Sequence, residues 1–239
     1  MADLKFLTEQ SPDFPAEAPA LPHSSNPSRP ALQLTLVRRL MKVMCGKDAE
    51  LLRHGLRTAG YAWALGQAIG LPSAQLLHVY YAAVLHDVGK LALPESILRK
   101  DGPLTSEEYA ALQCHPRDGA RILESIPGLR SSAVLIAHHH EHWDGNGYPE
   151  GLTANSIPLA SRIVAIADVY TALRAHRVYK PEYTRNNAST ILREMAGKEL
   201  DPDLVHDFLR FIGRRAMGER RASLRLHRPP LSLTARRLS

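Results

Sequence analysis

An all-α fold is predicted by three features of this 239-residue chain. Apolar residues recur at helical spacing, no segment alternates apolar and polar residues as a half-buried strand does, and cap and breaker residues divide the helical stretches. Leu32, Leu36, Val37, Leu40 and Met41 give the first apolar face. Ala49 to Ile69 reads as a long helix ended by Gly70-Leu71-Pro72. Ser73 predicts an N-cap for a helix from Ala74 to about Asp87. Thr105-Ser106-Glu107-Glu108 has the capping-box pattern and opens a short helix to about Gln113. Pro116 suits the first turn of the next helix, which runs to about Ser125. Ser131 to His140 predicts another. Trp143 to Pro158 reads as a long loop, broken by Gly145, Gly147, Pro149 and Gly151. Helices over Pro158 to His176, Asn186 to Ala196 and Pro202 to Ile212 complete the set.

Composition divides the chain into a segment 1–31, a folded unit 32–212 and a tail 213–239. Residues 11 to 30 hold six prolines, a linker-like composition that predicts disorder for the first segment. The net charge of +6 comes from the tail, where residues 213 to 239 carry eight arginines and one glutamate. The folded unit is then near neutral, which argues against a nucleic-acid surface on it. The tail reads as a flexible basic segment. No apolar run reaches the roughly 20 residues of a membrane span, and the start does not have the pattern of a signal peptide. A cytoplasmic location is the default expectation. Cys45 and Cys114 are not in a CxxC arrangement and read as free thiols.

The most informative stretch is His138-His139-His140-Glu141-His142-Trp143-Asp144-Gly145-Asn146-Gly147-Tyr148-Pro149. Adjacent imidazoles are costly to bring together unless something binds between them, and a divalent metal is the usual reason. His86-Asp87 lies upstream with Lys90 three residues on, and Asp168 lies downstream. These segments, together with His115-Pro116, Asp144-Gly145-Asn146-Gly147-Tyr148-Pro149-Glu150-Gly151-Leu152, Ile157-Pro158, Arg177-Val178-Tyr179-Lys180 and Asp201-Pro202, carry a resemblance to the HD-GYP family. That family comprises metal-dependent phosphodiesterases that hydrolyse the bacterial messenger cyclic di-GMP. The resemblance runs from about Glu50 to about Phe208, and it implies a compact HD-type helical bundle with a long glycine-rich GYP loop.

The resemblance implies a ligand set of His54, His86, Asp87, His115, His139, His140 and Asp168, with Asp87 bridging two ions. Glu50 lies four residues before His54, on the same helix face. It matches those family members that hold three metals rather than two. Nitrogen and oxygen ligands without thiolate suggest iron or manganese and leave zinc, cobalt and nickel open. Asp87 and Lys90 are the expected catalytic pair, and Lys90 is also expected to hold a phosphate as a point charge. Arg177 and Lys180 match residues that take the phosphates from the other side. Tyr148 offers a ring that either flanks a guanine or packs the loop onto the domain.

The expected function is therefore cleavage of cyclic di-GMP to linear pGpG, GMP or both, with two or three divalent ions. The GYP loop is also linked, across the family, to docking of diguanylate cyclases. One departure bears on this. The family usually has an aspartate three residues after Asp168, where this chain has Thr171. Two other readings stay open: a binding or docking module with little turnover, and hydrolysis of another cyclic nucleotide.

Overall fold

The computed structural model describes residues 28–175 and 182–226. Helix α1 spans Ser28–Lys47, α2 Ala49–Ala68 and α3 Ser73–Leu85. A 3-10 turn over Val88–Ala92 leads to the short α4, Glu95–Leu98, and to α5, Ser106–Leu112. Then follow α6 at His115–Glu124, α7 at Arg130–Ala137 and a second 3-10 turn at Ala154–Ser156. Helices α8, α9 and α10 cover Leu159–Arg174, Arg185–Met195 and Pro202–Leu226. No strand occurs among the described residues, and none of the described helices is long and apolar enough to cross a membrane.

Helix α2 is the central element. It packs against α1, α3, α8 and α10, while α6 packs on α7 and on the first 3-10 turn. The core between them is apolar and fully enclosed, with Leu65, Leu85, Ile136, Ile163 and Ile166 all inaccessible to solvent. At its centre Tyr61, Tyr170 and Phe208 meet edge to face, with ring centroids 4.9 to 6.0 Å apart. This is the geometry that aromatic quadrupoles favour, and it locks α2, α8 and α10 together.

Local chemistry sets most of the boundaries. Asp48 caps α2, its carboxylate accepting the Glu50 amide at 2.8 Å. The expected capping box is present, since Thr105 Oγ1 accepts the Glu108 amide and Glu108 accepts the Thr105 amide. Pro116 sits in the first turn of α6, where a missing N–H costs nothing. Asp201 is 4% exposed, and its Oδ1 accepts the Asp203 and Leu204 amides at the start of α10.

Several expectations need correction. Ser73 is not a cap: Pro72 holds that position and Ser73 is the first helical residue, with no side-chain cap bond. The third helix does not reach Asp87 but stops at Leu85 and passes into the 3-10 turn. The turn is fixed by close packing at Gly89, where a Cβ would lie 2.0 Å from the His115 carbonyl oxygen. Helix α7 ends at Ala137, so His138 to His140 lie in a turn rather than on a helix. The terminal helices are longer than the composition suggested. α1 begins at Ser28, inside the segment read as 1–31, and α10 runs past Ile212 to Leu226.

Candidate metal centre

Seven side chains from five places in the chain meet beside the core. His54 comes from α2, His86 and Asp87 from the end of α3, His115 from the first residue of α6, His139 and His140 from the turn after α7, and Asp168 from α8. Their rings form a continuous run: His54 to His86 is 5.3 Å between centroids, His86 to His139 5.2 Å, His139 to His140 4.1 Å, and His140 to His115 5.1 Å. Ligand atoms of His115, His139 and His140 lie within 4.8 Å of one another, and so do those of His54, His86 and Asp87. Asp168 Oδ1 stands 2.6 Å from His54 Nε2 and 3.5 Å from His86 Nε2.

One device orients three of the histidines. Nδ1 of His86, His115 and His139 each meets the carbonyl oxygen three residues earlier, at Ala83, Leu112 and Ile136, at 2.6 to 2.8 Å. A carbonyl only accepts, so Nδ1 carries the proton, and a neutral ring then presents a bare Nε2. Nε2 of all three is buried without a hydrogen-bond partner, while both oxygens of Asp87 lie 2.8 Å from the Lys90 ammonium. The contacts of Asp87 with His86 Nε2 at 3.4 Å and His115 Nε2 at 3.3 Å are close but not aligned as hydrogen bonds. Buried polar atoms are normally paired, and three unpaired imidazole nitrogens in one cluster with a buried carboxylate have the make-up of a cation site's donor set. The residues present therefore fit divalent ions held by nitrogen and oxygen.

Electrostatics divides the cluster. Burial alone would push the His86 imidazole down, but the Asp87 and Asp168 carboxylates outweigh it and raise its pKa to about 10. Burial opposes ionisation of Asp87, yet Lys90 and His86 hold its carboxyl well below the usual range. Asp168 is held low against burial by His86 and His54. On the other side, burial first and the neighbouring imidazoles next push His139 far down. Burial is the main cause for His140 too, which falls to about 4. Lys90 Nζ donates to Asp87 Oδ2 at 2.8 Å, with a quarter of its side chain open to solvent.

Glu50 is the expected ligand that is not brought to this cluster. Its carboxylate is half exposed and faces Arg53 at 3.0 Å and Arg57 at 3.6 Å on its own helix. A carboxylate between two guanidiniums is already charge-compensated, which explains why it does not turn toward His54. Arg177 and Lys180 lie outside the described residues. Thr171 stands one helical turn after Asp168, buried, and its Oγ1 has no hydrogen-bond partner.

The glycine loop is fastened from several sides. Glu141 is 3% exposed and accepts the amides of Glu150 at 2.7 Å and Leu152 at 2.9 Å, one with each oxygen. Gly147 leaves room for the return of the chain, since a Cβ there would lie 2.2 Å from the His142 nitrogen. The Tyr148 amide donates to the His140 carbonyl, and its ring stacks on the His140 imidazole at 4.9 Å and 27°. So one face of the tyrosine covers a member of the cluster. At the loop base, the Trp143 and Asp144 amides donate to the Glu199 and Lys198 carbonyls. Arg162 lies over the Trp143 ring and pairs with Asp201 at 2.6 Å. Glu141, Arg162 and Asp201 had no assigned role from sequence. An acid directly after two histidines, and an Asp-Pro opening a helix, were the signals available.

Comparison with known proteins agrees with this architecture. The family model described as "HD domain" matches residues 38–204. A cyclic di-GMP phosphodiesterase of Vibrio cholerae serotype O1 is 40% identical over 178 residues, covering 68% of this chain and 36% of the relative. The cyclic di-GMP phosphodiesterase response regulator RpfG of Xanthomonas campestris pv. campestris is 38% identical, covering 74% and 47%. A 3'3'-cGAMP-specific phosphodiesterase of Vibrio cholerae is also 38% identical, covering 71% and 33%. The chain thus spans about a third to a half of these relatives. Among solved structures, a cyclic GMP-AMP specific phosphodiesterase from Vibrio cholerae superposes with a TM-score of 0.60 at 22% identity, covering 80% of this chain and 50% of the other. The HD domain of the Listeria monocytogenes phosphodiesterase PgpH gives 0.55 at 20% identity, covering 76% and 98%.

Proposed function

The chain belongs to the HD domain family, and from that premise we propose that it is a metal-dependent phosphodiesterase that opens cyclic di-GMP to linear pGpG, GMP or both. The observation that carries this reading is the cluster of buried, unpartnered Nε2 atoms of His86, His115 and His139, two of which, on His86 and His115, lie 3.4 and 3.3 Å from the Asp87 carboxylate. His54, His86, Asp87, His115, His139, His140 and Asp168 would hold the ions, with Asp87 facing both halves of the cluster. Iron or manganese suits this donor set. Bound ions would offset the charge of the phosphate oxygens and make water acidic enough to attack at neutral pH.

The remaining roles fall to the chain itself. Lys90 holds Asp87 ionised and presents an ammonium at the open edge of the site, where a phosphate oxygen would sit. Arg177 and Lys180 are assigned to the phosphates by resemblance. Tyr148 covers His140 and excludes water from that side, with its outer face and hydroxyl left for substrate. The glycine loop is also the surface that a diguanylate cyclase would meet, and a bacterial cytoplasm is where this messenger acts.

A binding module without turnover is the second reading, favoured by Thr171 in place of a carboxylate. Elemental analysis of the purified protein, followed by product identification after incubation with cyclic di-GMP, decides between them. The expected result is at least two ions per chain and ring-opened product. Metal-loaded protein that leaves both cyclic di-GMP and bis(p-nitrophenyl) phosphate intact sinks the phosphodiesterase. Tight binding without any product supports the module.

A further inference from the structure

We infer that the rim between α5, α6 and the glycine loop is a guanine-reading subsite, with Arg117 addressing the base edge and Tyr109 its face. This rests on the cyclic dinucleotide reading above and names what would set its base preference.

The starting point is Tyr148. Its inner face is committed to His140, so the aromatic surface available to a base is reduced. Tyr109, on α5, is one of few large apolar side chains left open, at 49% exposure, and no described group pairs with it. It lies six residues before His115, with one short break between the two helices. The helix that carries it ends at the cluster, where the Leu112 carbonyl meets His115 Nδ1 at 2.7 Å. An exposed ring beside a metal cluster is a stacking platform for a nucleobase.

Arg117 supplies the second element. It is two residues past His115, and its Nη2 donates to the Pro149 carbonyl at 3.2 Å, so the guanidinium sits against the residue after Tyr148. Neighbouring acids are engaged elsewhere: Asp118 accepts Arg121 at 3.3 Å, and Glu150 faces His138 at 3.6 Å. Arg117 is exposed and its remaining N–H donors have no described partner. A planar fork of donors matches the paired O6 and N7 acceptors of guanine, whereas adenine offers an acceptor beside a donor. The rim therefore favours a guanine over an adenine at this position.

The test compares wild type with Arg117→Lys, Arg117→Ala, Tyr109→Phe and Tyr109→Leu in the full, manganese-loaded chain. Dissociation constants are measured by calorimetry, and KM and kcat by product formation, on cyclic di-GMP and cyclic di-AMP. Arg117→Lys keeps the charge and a donor for the Pro149 carbonyl but loses the fork. It is expected to weaken cyclic di-GMP about 10-fold in Kd and KM, with kcat little changed. Cyclic di-AMP should be unaffected, so the preference for guanine falls by the same factor. Tyr109→Leu should weaken both ligands and Tyr109→Phe neither. An unchanged guanine preference in Arg117→Lys overturns the inference, as does equal weakening of both ligands, which marks Arg117 as a strap for the loop only. Wild type that binds neither dinucleotide also overturns it. Calorimetry reads the preference without turnover, and wild-type activity on bis(p-nitrophenyl) phosphate reports separately on the phosphodiesterase.

Discussion

The two halves of the cluster are built from the same residue type and behave in opposite ways. At His86 two carboxylates overcome burial and hold a proton up to about pH 10, while at His140 burial prevails and the proton is lost near pH 4. Both rings are deeply buried, so desolvation pushes both the same way. Neighbouring charge makes the difference. At His86 the Asp87 and Asp168 carboxylates outweigh burial, whereas at His140 burial outweighs the pull of Asp168 and is helped by the His115 ring and Lys90. To hold a divalent ion, His86 would first give up its second ring proton, whereas His139 and His140 would offer neutral rings. Asp87 lies between the two halves and gives them a shared anion.

The severest break in this arrangement is Asp87→Ala. It should remove the shared anion and strip at least one ion, measured by elemental analysis. Turnover should fall by more than the roughly 10- to 100-fold that loss of an outer-shell partner costs. Retained activity and full metal content would mean that the halves are independent.

Lys90→Ala tests the electrostatic support of the acidic half. A lost charge-assisted phosphate contact is worth about 1.5–3 kcal/mol, or roughly 10- to 100-fold in affinity for the dinucleotide. Metal content should stay near that of wild type, since the six other members of the proposed ligand set, His54, His86, His115, His139, His140 and Asp168, are untouched. Unchanged affinity by calorimetry would remove Lys90 from the phosphate site.

The contrast also predicts how the metal-free protein responds to pH. His86 has a folded pKa above its ordinary 6.5, so its contribution is complete below pH 6.5 and is lost as pH rises through about 10. His140 has a folded pKa below 6.5. Its neutral burial costs nothing above pH 6.5, and stability is lost as pH falls through about 4. Melting temperature without metal should therefore decline on both sides of about pH 6.5. His139 is held down as well and shares the acid limb, so His140→Gln should make that limb shallower and leave the alkaline side as it was. An acid limb of the same slope in that variant would show that His140 does not contribute to it.

The smallest expected effect belongs to Glu50→Ala. Its carboxylate serves two arginines on an exposed helix face, an arrangement worth about 0–1 kcal/mol. Metal content and turnover should be unchanged. Loss of one ion on elemental analysis would show that Glu50 leaves its arginines when metal is present, as in the three-metal members of the family it resembles.

The helical class and the capping box at Thr105 were legible in the chain because each depends on residue type and spacing, and the family resemblance named seven residues that the fold brings together but also Glu50, which it does not. The His138 to His140 turn was not legible. The apolar period of α7 runs into these histidines without a breaker, so a helix through His140 was the natural reading. On a helix His139 and His140 would splay by about 100°. In the turn their ring centroids lie 4.1 Å apart, at 40° to each other. Helix α3 stops short of Asp87 for a related reason: Gly89 must pack on the His115 carbonyl, a contact 26 residues away that no local propensity reports.

Sequence by itself determined which side chains are available for metal and phosphate chemistry, since imidazole, carboxylate and ammonium properties are local to each residue. Only the tertiary structure decided what state they are in and where they point. The three carbonyls that fix the histidine tautomers come from helix geometry, and the opposite pKa shifts of His86 and His140 come from neighbours distant in the chain. The separation of Glu50 from His54, equally, follows from the arginines that helix α2 places beside it. Distance-dependent electrostatics and burial are properties of the folded arrangement, and a linear order of residues does not contain them.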